Sequence, residues 1–272
     1  MPTKIVGILN ITPDSFSDGG KFNSFDGALN HLKQMLEEGA DMIDIGAEST
    51  RPGFTPVEEK EEWRRLEKIL PEIIFEVKKF NQKTGKKVTT SIDTRHFETA
   101  KKSHELGVDI INDVDGLIDD RTIELIAQKN ITTILMHNSP VPAVEGALVN
   151  KHINLNGEII KWAQQKISYL EKKGVKKSQL IFDVGIGFGK NALQSIRILK
   201  NIDAFRVLGL PLYVGHSKKS FLDAINFSDF HLPNEEFDRA KKTLVISKYL
   251  AQKNIDFIRV HDVKQTMCFT SY

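Results

Sequence analysis

Short runs of Val, Ile and Leu recur along the chain with helical patterns between them. Eight such runs, residues 5–9, 42–45, 88–92, 108–111, 132–136, 180–182, 212–214 and 257–260, are mostly continuous rather than alternating. Strands covered on both faces of a parallel sheet read this way. The intervening segments follow a helical period. Trp63, Leu66, Leu70, Ile73 and Val77 share one face, with Pro71 expected to kink or break that helix, and Ile160, Ala163, Ile167 and Leu170 share another. Gly39, Gly107 and Gly174 each close a helical stretch ahead of a strand. Eight strand-then-helix units in 272 residues match an α/β fold of the (β/α)8 TIM barrel type, with residues 1–272 as a single domain. A doubly wound open sheet is the alternative, because alternation alone does not establish closure.

In a barrel the C-terminal strand ends carry the site. Polar groups stand there throughout: Asn10, then Asp44 and Glu48, Asp93, Asn112, His137 after Met136, Asp183, His216 with Ser217, and Arg259 with His261. Any one alone is more often a helix cap or turn former. Together, acids and amides at strands three, four and six with cations at seven and eight would converge on one mouth. Arg259 and His261 are two apart on a strand, so both project on one face and can share an anion. Ser217-Lys-Lys-Ser220 precedes a helix in the loop after strand seven, a usual phosphate position in this architecture.

Composition narrows the chemistry. Hydrophobic residues make up 40% and charged residues 27%, which provides for a buried core, and Lys plus Arg exceed Asp plus Glu by only 38 against 36. A phosphate-tracking surface shows a stronger basic excess, so no nucleic-acid partner is expected. Cys268 is the single cysteine, which excludes an intramolecular disulfide and a cysteine-rich zinc site. No run reaches the ~18 apolar residues of a membrane span, so the chain reads as soluble and cytoplasmic, without a membrane partner. The Gly185-Ile-Gly-Phe-Gly-Lys190 turn fails both nucleotide fingerprints: Lys190 replaces the third glycine of one, and the spacing is a residue short for the other. It reads instead as a tight turn under a flat ligand, with Phe188 available to stack. Gly-x-Ser-x-Gly and His-Glu-x-x-His are both missing, which removes hydrolase and zinc-protease readings. Residues 10–20 and 46–53 form loops longer than the connection needs, as functional loops are.

Asn10-Ile-Thr-Pro-Asp-Ser-Phe-Ser-Asp-Gly-Gly20, Glu48-Ser-Thr-Arg-Pro-Gly53, Ser91-Ile-Asp-Thr94, Ile111-Asn-Asp113, Gly187-Phe-Gly-Lys190, Lys219-Ser220 and Arg259-Val-His-Asp-Val263 together resemble the dihydropteroate synthase family, in order and over nearly the whole chain. The resemblance implies a (β/α)8 barrel that joins 6-hydroxymethyl-7,8-dihydropterin pyrophosphate to p-aminobenzoate, releasing pyrophosphate in folate synthesis, and that sulfonamides target. It implies that Asp183 accepts the two parallel donors of the pterin edge, that Asn112 and Asp93 complete the ring contacts, that Lys219 donates on the far side, and that Met136 and Val114 pack on the ring. Pyrophosphate falls to Asn10, Arg51, Arg259 and His261, with Mg²⁺ on the Asn10 oxygen, as hard cations favour oxygen ligands. The p-aminobenzoate pocket falls to Phe16, Thr50, Pro52, Phe188, Lys219 and Ser220. Asp93, Lys219, Arg259 and His261 form the catalytic set of a dissociative reaction.

Four positions depart from the family pattern: Ala47 for Gly, Val184 for Pro, Ile186 for Phe and Lys218 for Arg. Ala47 would alter the second loop if its position needed a positive φ. The chain ends eleven residues after His261, which implies a short final helix and weakens the homodimer that the resemblance suggests. It also leaves open a piece of a longer fused protein. Two other readings remain. A methyltetrahydrofolate:corrinoid methyltransferase-type barrel shares the ring-binding acids but needs no pyrophosphate ligands, and a non-catalytic pterin-binding paralogue would be expected to lose one of Asn10, Arg51, Arg259 and His261.

Overall fold

The computed structural model describes residues 2–11, 24–48, 56–138, 154–230 and 237–270. Its strands are β1 (Lys4–Asn10), β2 (Met42–Gly46), β3 (Thr89–Asp93), β4 (Ile110–Asp113), β5 (Thr132–Met136), β6 (Leu180–Asp183), β7 (Leu212–Val214) and β8 (Phe257–Val260). Each pairs in parallel with its sequence neighbour, and β8 returns to β1 through the register Val6 to Arg259, so the barrel is closed. The open-sheet alternative is thereby excluded. β3 and β4 run one or two residues further than the apolar runs suggest, because their polar ends, Asp93 and Asn112, continue the ladder and turn inward.

Residues two apart on a strand share a face, and this spacing divides the barrel interior into two zones. A lower apolar layer holds Val6, Met42, Ile110, Ile134, Ile181, Tyr213 and Phe257. Two residues further along the same strands stand Asp44, Asn112, Asp183 and Arg259, all near the C-terminal mouth. The apolar layer plugs the floor, as in filled barrels, and the polar layer rests on it away from bulk water.

The surrounding helices are α1 (Ser24–Glu38), α2 (Glu59–Leu66), α3 (Leu70–Thr84), α4 (Phe97–Leu106), α5 (Asp120–Lys129), α6 (Leu155–Lys172), α7 (Ala192–Lys200), α8 (Arg239–Gln252) and α9 (Val263–Thr270). The face containing Pro71 does break in two. The interruption falls at residues 67–69, and Pro71 sits in the first turn of α3, where its missing N–H costs nothing. In α6 the buried stripe is Ile159, Ala163, Ile167 and Leu170, with Ile160 only partly covered. Gly107 ends α4 at φ 103° and donates to the His104 and Ser103 carbonyls, a helix stop that any side chain would strain. Ala47 is buried and does not lie in the left-handed region, so its exchange for glycine demands no unusual backbone. Among the described residues no helix is long and apolar enough to cross a membrane.

Candidate active site

The centre of the mouth is Arg259 on β8. Its Nε donates to Asp44 Oδ2 at 2.6 Å and its Nη2 to Asp93 Oδ2 at 2.7 Å, and the side chain is 21% exposed. Burial opposes the guanidinium charge, but the two carboxylates outweigh it and keep Arg259 ionised. Asp44 also accepts from Ser91 Oγ and from Asn112 Nδ2, the latter at 3.1 Å. One wholly buried carboxylate on β2 therefore orients residues of β3, β4 and β8. The sequence shows Asp44 only as one more polar strand end, with no role. Its signal was a charge inside the otherwise apolar Met42-Ile-Asp-Ile segment.

Asp93 stands beside it. Burial pushes its carboxyl up to about 7, with Arg259 pulling down and the Asp44 charge pushing further up. Its Oδ1 is buried and has no hydrogen-bond partner. Behind Asp93, Thr94 Oγ1 donates to Glu62 Oε2 at 2.7 Å. Glu62 is a fully buried acid of α2 that helix periodicity alone does not single out.

Asp183 ends β6, where its Oδ1 accepts the Gly185 N–H at 2.8 Å. Burial raises its pKa, opposed by the positive charge of Lys219. Lys219 is itself pushed down to about 8 by burial, with Asp183 acting the other way. Its Nζ donates to the Ile186 carbonyl and lies 4.6 Å from the Phe188 ring centroid. Met136 and Val114 are buried, Asn10 is exposed at the end of β1, and Ser220 is exposed at the start of a 3-10 turn.

The strand-seven histidine does not join this group. His216 is fully buried, its Nε2 lies 3.1 Å from the Thr243 carbonyl and 3.0 Å from Ser247 Oγ on α8, and burial pushes its pKa down to about 4. It is a neutral strut and not a cation of the mouth. Ser217 makes the link to strand eight instead: its Oγ lies 2.9 Å from His261 Nδ1 and accepts the His261 main-chain N–H at 3.2 Å. The one hydroxyl therefore contacts both the main chain and the ring of His261 and fixes the orientation of its imidazole. Glu48 pairs instead with Arg95 at 3.0 Å and accepts the Val57 N–H at 2.7 Å. Phe16, Thr50, Arg51 and Pro52 lie outside the described residues.

Buried acids, an amide and a lysine thus gather around one mouth of a closed barrel, and the chain matches the model of the pterin binding enzyme family over residues 6–261. It is 39% identical to the dihydropteroate synthase of Clostridium beijerinckii, with 96% of this chain and 89% of that protein aligned, and 34% identical to that of Escherichia coli, with 97% and 88% aligned. Among solved structures it resembles the Anaplasma phagocytophilum dihydropteroate synthase with bound 6-hydroxymethylpterin-monophosphate (TM-score 0.85, 43% identity, 99% and 97% of the two chains). It also resembles the Xanthomonas albilineans enzyme with 4-aminobenzoic acid (TM-score 0.83, 29% identity, 99% and 91%). The chain belongs to the dihydropteroate synthase family.

Proposed function

We propose a division of labour within this mouth for the reaction of the family, which the chain carries out as an enzyme of folate biosynthesis: joining 6-hydroxymethyl-7,8-dihydropterin pyrophosphate to p-aminobenzoate with release of pyrophosphate. The observation that carries the assignment is the partnerless Oδ1 of Asp93 within a buried polar layer. An orphaned buried acceptor costs about 1–3 kcal/mol, and a ring N–H of the substrate would remove that cost. Asp183 takes the paired donors of the pterin edge, a charge-assisted bidentate contact. Asn112 and Lys219 complete the ring contacts, with Met136 and Val114 against its face.

Arg259 and His261 hold the pyrophosphate with Asn10 and Arg51. A guanidinium has five N–H donors, and Asp44 and Asp93 engage those on Nε and Nη2, so donors remain for an anion. The C–O bond to pyrophosphate breaks first, and the methylene cation delocalises into the pterin beside the Asp93 carboxyl. The arylamine, walled by Phe16, Thr50, Pro52, Phe188, Lys219 and Ser220, then attacks. A weakly basic nucleophile meeting a cation needs no strong general base, so stabilisation of the departing anion by fixed cations is the main catalytic effect.

The described residues contain no cluster of three or more His, Cys, Asp or Glu that could cage a metal. Asn10 contributes a single neutral oxygen. That donor set fits a hard cation delivered with the substrate phosphates, with Asn10 completing its ligands; Mg²⁺ bound so would neutralise pyrophosphate charge. The lone cysteine supports a reducing, cytoplasmic setting.

Measuring pyrophosphate and dihydropteroate together tests the reading. Equimolar formation of both in the presence of p-aminobenzoate is expected. Release of pyrophosphate without any dihydropteroate would overturn it.

A further inference from the structure

Lys190 closes the glycine turn after β6 and reaches back into it. It is 9% exposed, and its ammonium donates to the carbonyls of Gly185 at 2.9 Å, Phe188 at 3.0 Å and, across on the end of β5, His137 at 3.1 Å. Burial pulls the pKa of this lysine down to about 7, with the Asp183 charge acting the other way, and in its protonated form it has three N–H donors. All three are therefore engaged by main chain, and the lysine has none left for a phosphate. The turn needs such a centre. Gly185, Gly187 and Gly189 take φ of 65°, 79° and 59°, a backbone with little stiffness of its own. It also runs so close to β5 that a Cβ on Gly185 would stand 2.0 Å from the His137 oxygen.

What the turn presents is the other half of the argument. Its Ile186 carbonyl accepts from Lys219 Nζ, its Phe188 ring lies under the same ammonium, and its Gly185 N–H holds Asp183 Oδ1. We infer that Lys190 is a positioning residue: an ammonium pin that fixes Phe188 and the Ile186 carbonyl, and through them Lys219, where they shape the arylamine pocket. This rests on the reading of Phe188 and Lys219 as walls of that pocket. Asp183 grips the pterin edge from the end of β6 and Lys219 reaches the ring as well as the arylamine pocket, so loss of the pin should fall most heavily on capture of the arylamine, which also loses Phe188, and less on binding of the pterin.

A dissociative reaction supplies a readout that general destabilisation would not move. When the arylamine is poorly placed, water attacks the methylene cation, giving the free hydroxymethyl dihydropterin and a proton after pyrophosphate has left. Pyrophosphate then exceeds dihydropteroate. For Lys190→Met we expect KM for p-aminobenzoate to rise about tenfold or more, as misplacement near 1 Å can cost up to ~100-fold in rate. We expect the ratio of pyrophosphate to dihydropteroate to rise clearly above one, with calorimetric affinity for a pterin analogue falling by a smaller factor than the rise in KM. Should that variant fail to fold, Lys190→Ala with propylammonium restores the missing three carbons and the charge. Recovery of the ratio with propylammonium and not with 1-propanol supports the pin. A ratio that stays at one in either variant overturns it. Phe188→Ala separates the two layers of the argument: if it alone raises KM and the ratio, the pocket stands and the pin fails, and if it changes neither, the reading of the pocket wall fails first.

Discussion

At the scale of single residues, Asp183 and Arg259 do different work and should fail differently. Asp183→Asn replaces a charged double acceptor with an amide that points donors at donors. Calorimetry with a pterin analogue should show a loss of at least ~1.5–3 kcal/mol, with the fold intact. Arg259 has a second duty that its place in the sequence does not reveal, because it neutralises both Asp44 and Asp93. Removing one member of a buried ion pair costs ~3–5 kcal/mol, so Arg259→Ala should lower the melting temperature and weaken the free pterin alcohol as well as its pyrophosphate ester. His261→Ala is the cleaner probe of the anion. It should weaken the ester strongly and the alcohol little, and equal losses for the two would make His261 structural.

At the scale of elements, α8 braces the turn after β7. His216 is tied to Thr243 and Ser247, the Lys218 N–H donates to Thr243 Oγ1 at 3.1 Å, and Lys218 sits at φ 56° between Ser217 and Lys219. Full burial keeps the imidazole of this brace neutral, which makes stability depend on pH. With the folded pKa pushed down to about 4 from 6.5, native and unfolded states bind the proton alike above about pH 7, and the unfolded state binds more as pH falls. Stability is thus complete above 6.5 and is lost as pH falls towards 4, by about 2 kcal/mol at pH 5 from this group. His216→Gln should therefore be less stable than wild type at pH 8, by about 1 kcal/mol for the poorer hydrogen bonding, and the gap should close or reverse at pH 5. Melting curves at the two values check this, and a constant gap would mean that His216 is not the titrating brace.

At the scale of the whole molecule, the proposed anion ligands and arylamine contacts come in part from the barrel strands and in part from the segments 10–20 and 46–53. Asn10 and Arg51 share those segments with Phe16, Thr50 and Pro52. On the proposed reading, an anion engaging the first pair would also place the second set. We expect p-aminobenzoate, or a sulfonamide in its place, to bind weakly alone and about 5- to 150-fold more tightly once Mg²⁺, pyrophosphate and pterin are present. Arg51→Ala should remove most of that coupling and leave pterin binding nearly unchanged. Equal affinities with and without the anion would show that the pocket is complete beforehand.

Eight apolar runs with helices between them determined the architecture, because burial on both faces makes each barrel strand a legible block and each covering helix a legible stripe. The polar strand ends likewise pointed to the barrel mouth where the proposed site lies. Their directions were another matter. His216 and Ser217 are neighbours in the chain, yet one faces α8 and the other His261, since the turn after β7 redirects successive side chains. Asp44 is ordinary in sequence and central in space, because only closure of the barrel, with β8 pairing to β1 beside β2, lets Asp44 reach Arg259, 215 residues away from it along the chain. Lys190 reads as a stray cation beside a glycine turn until the His137 carbonyl, just past β5, is placed over it. Local periodicity is written in adjacent residues. Which buried charges meet depends on contacts that exist only when distant strands share one interior.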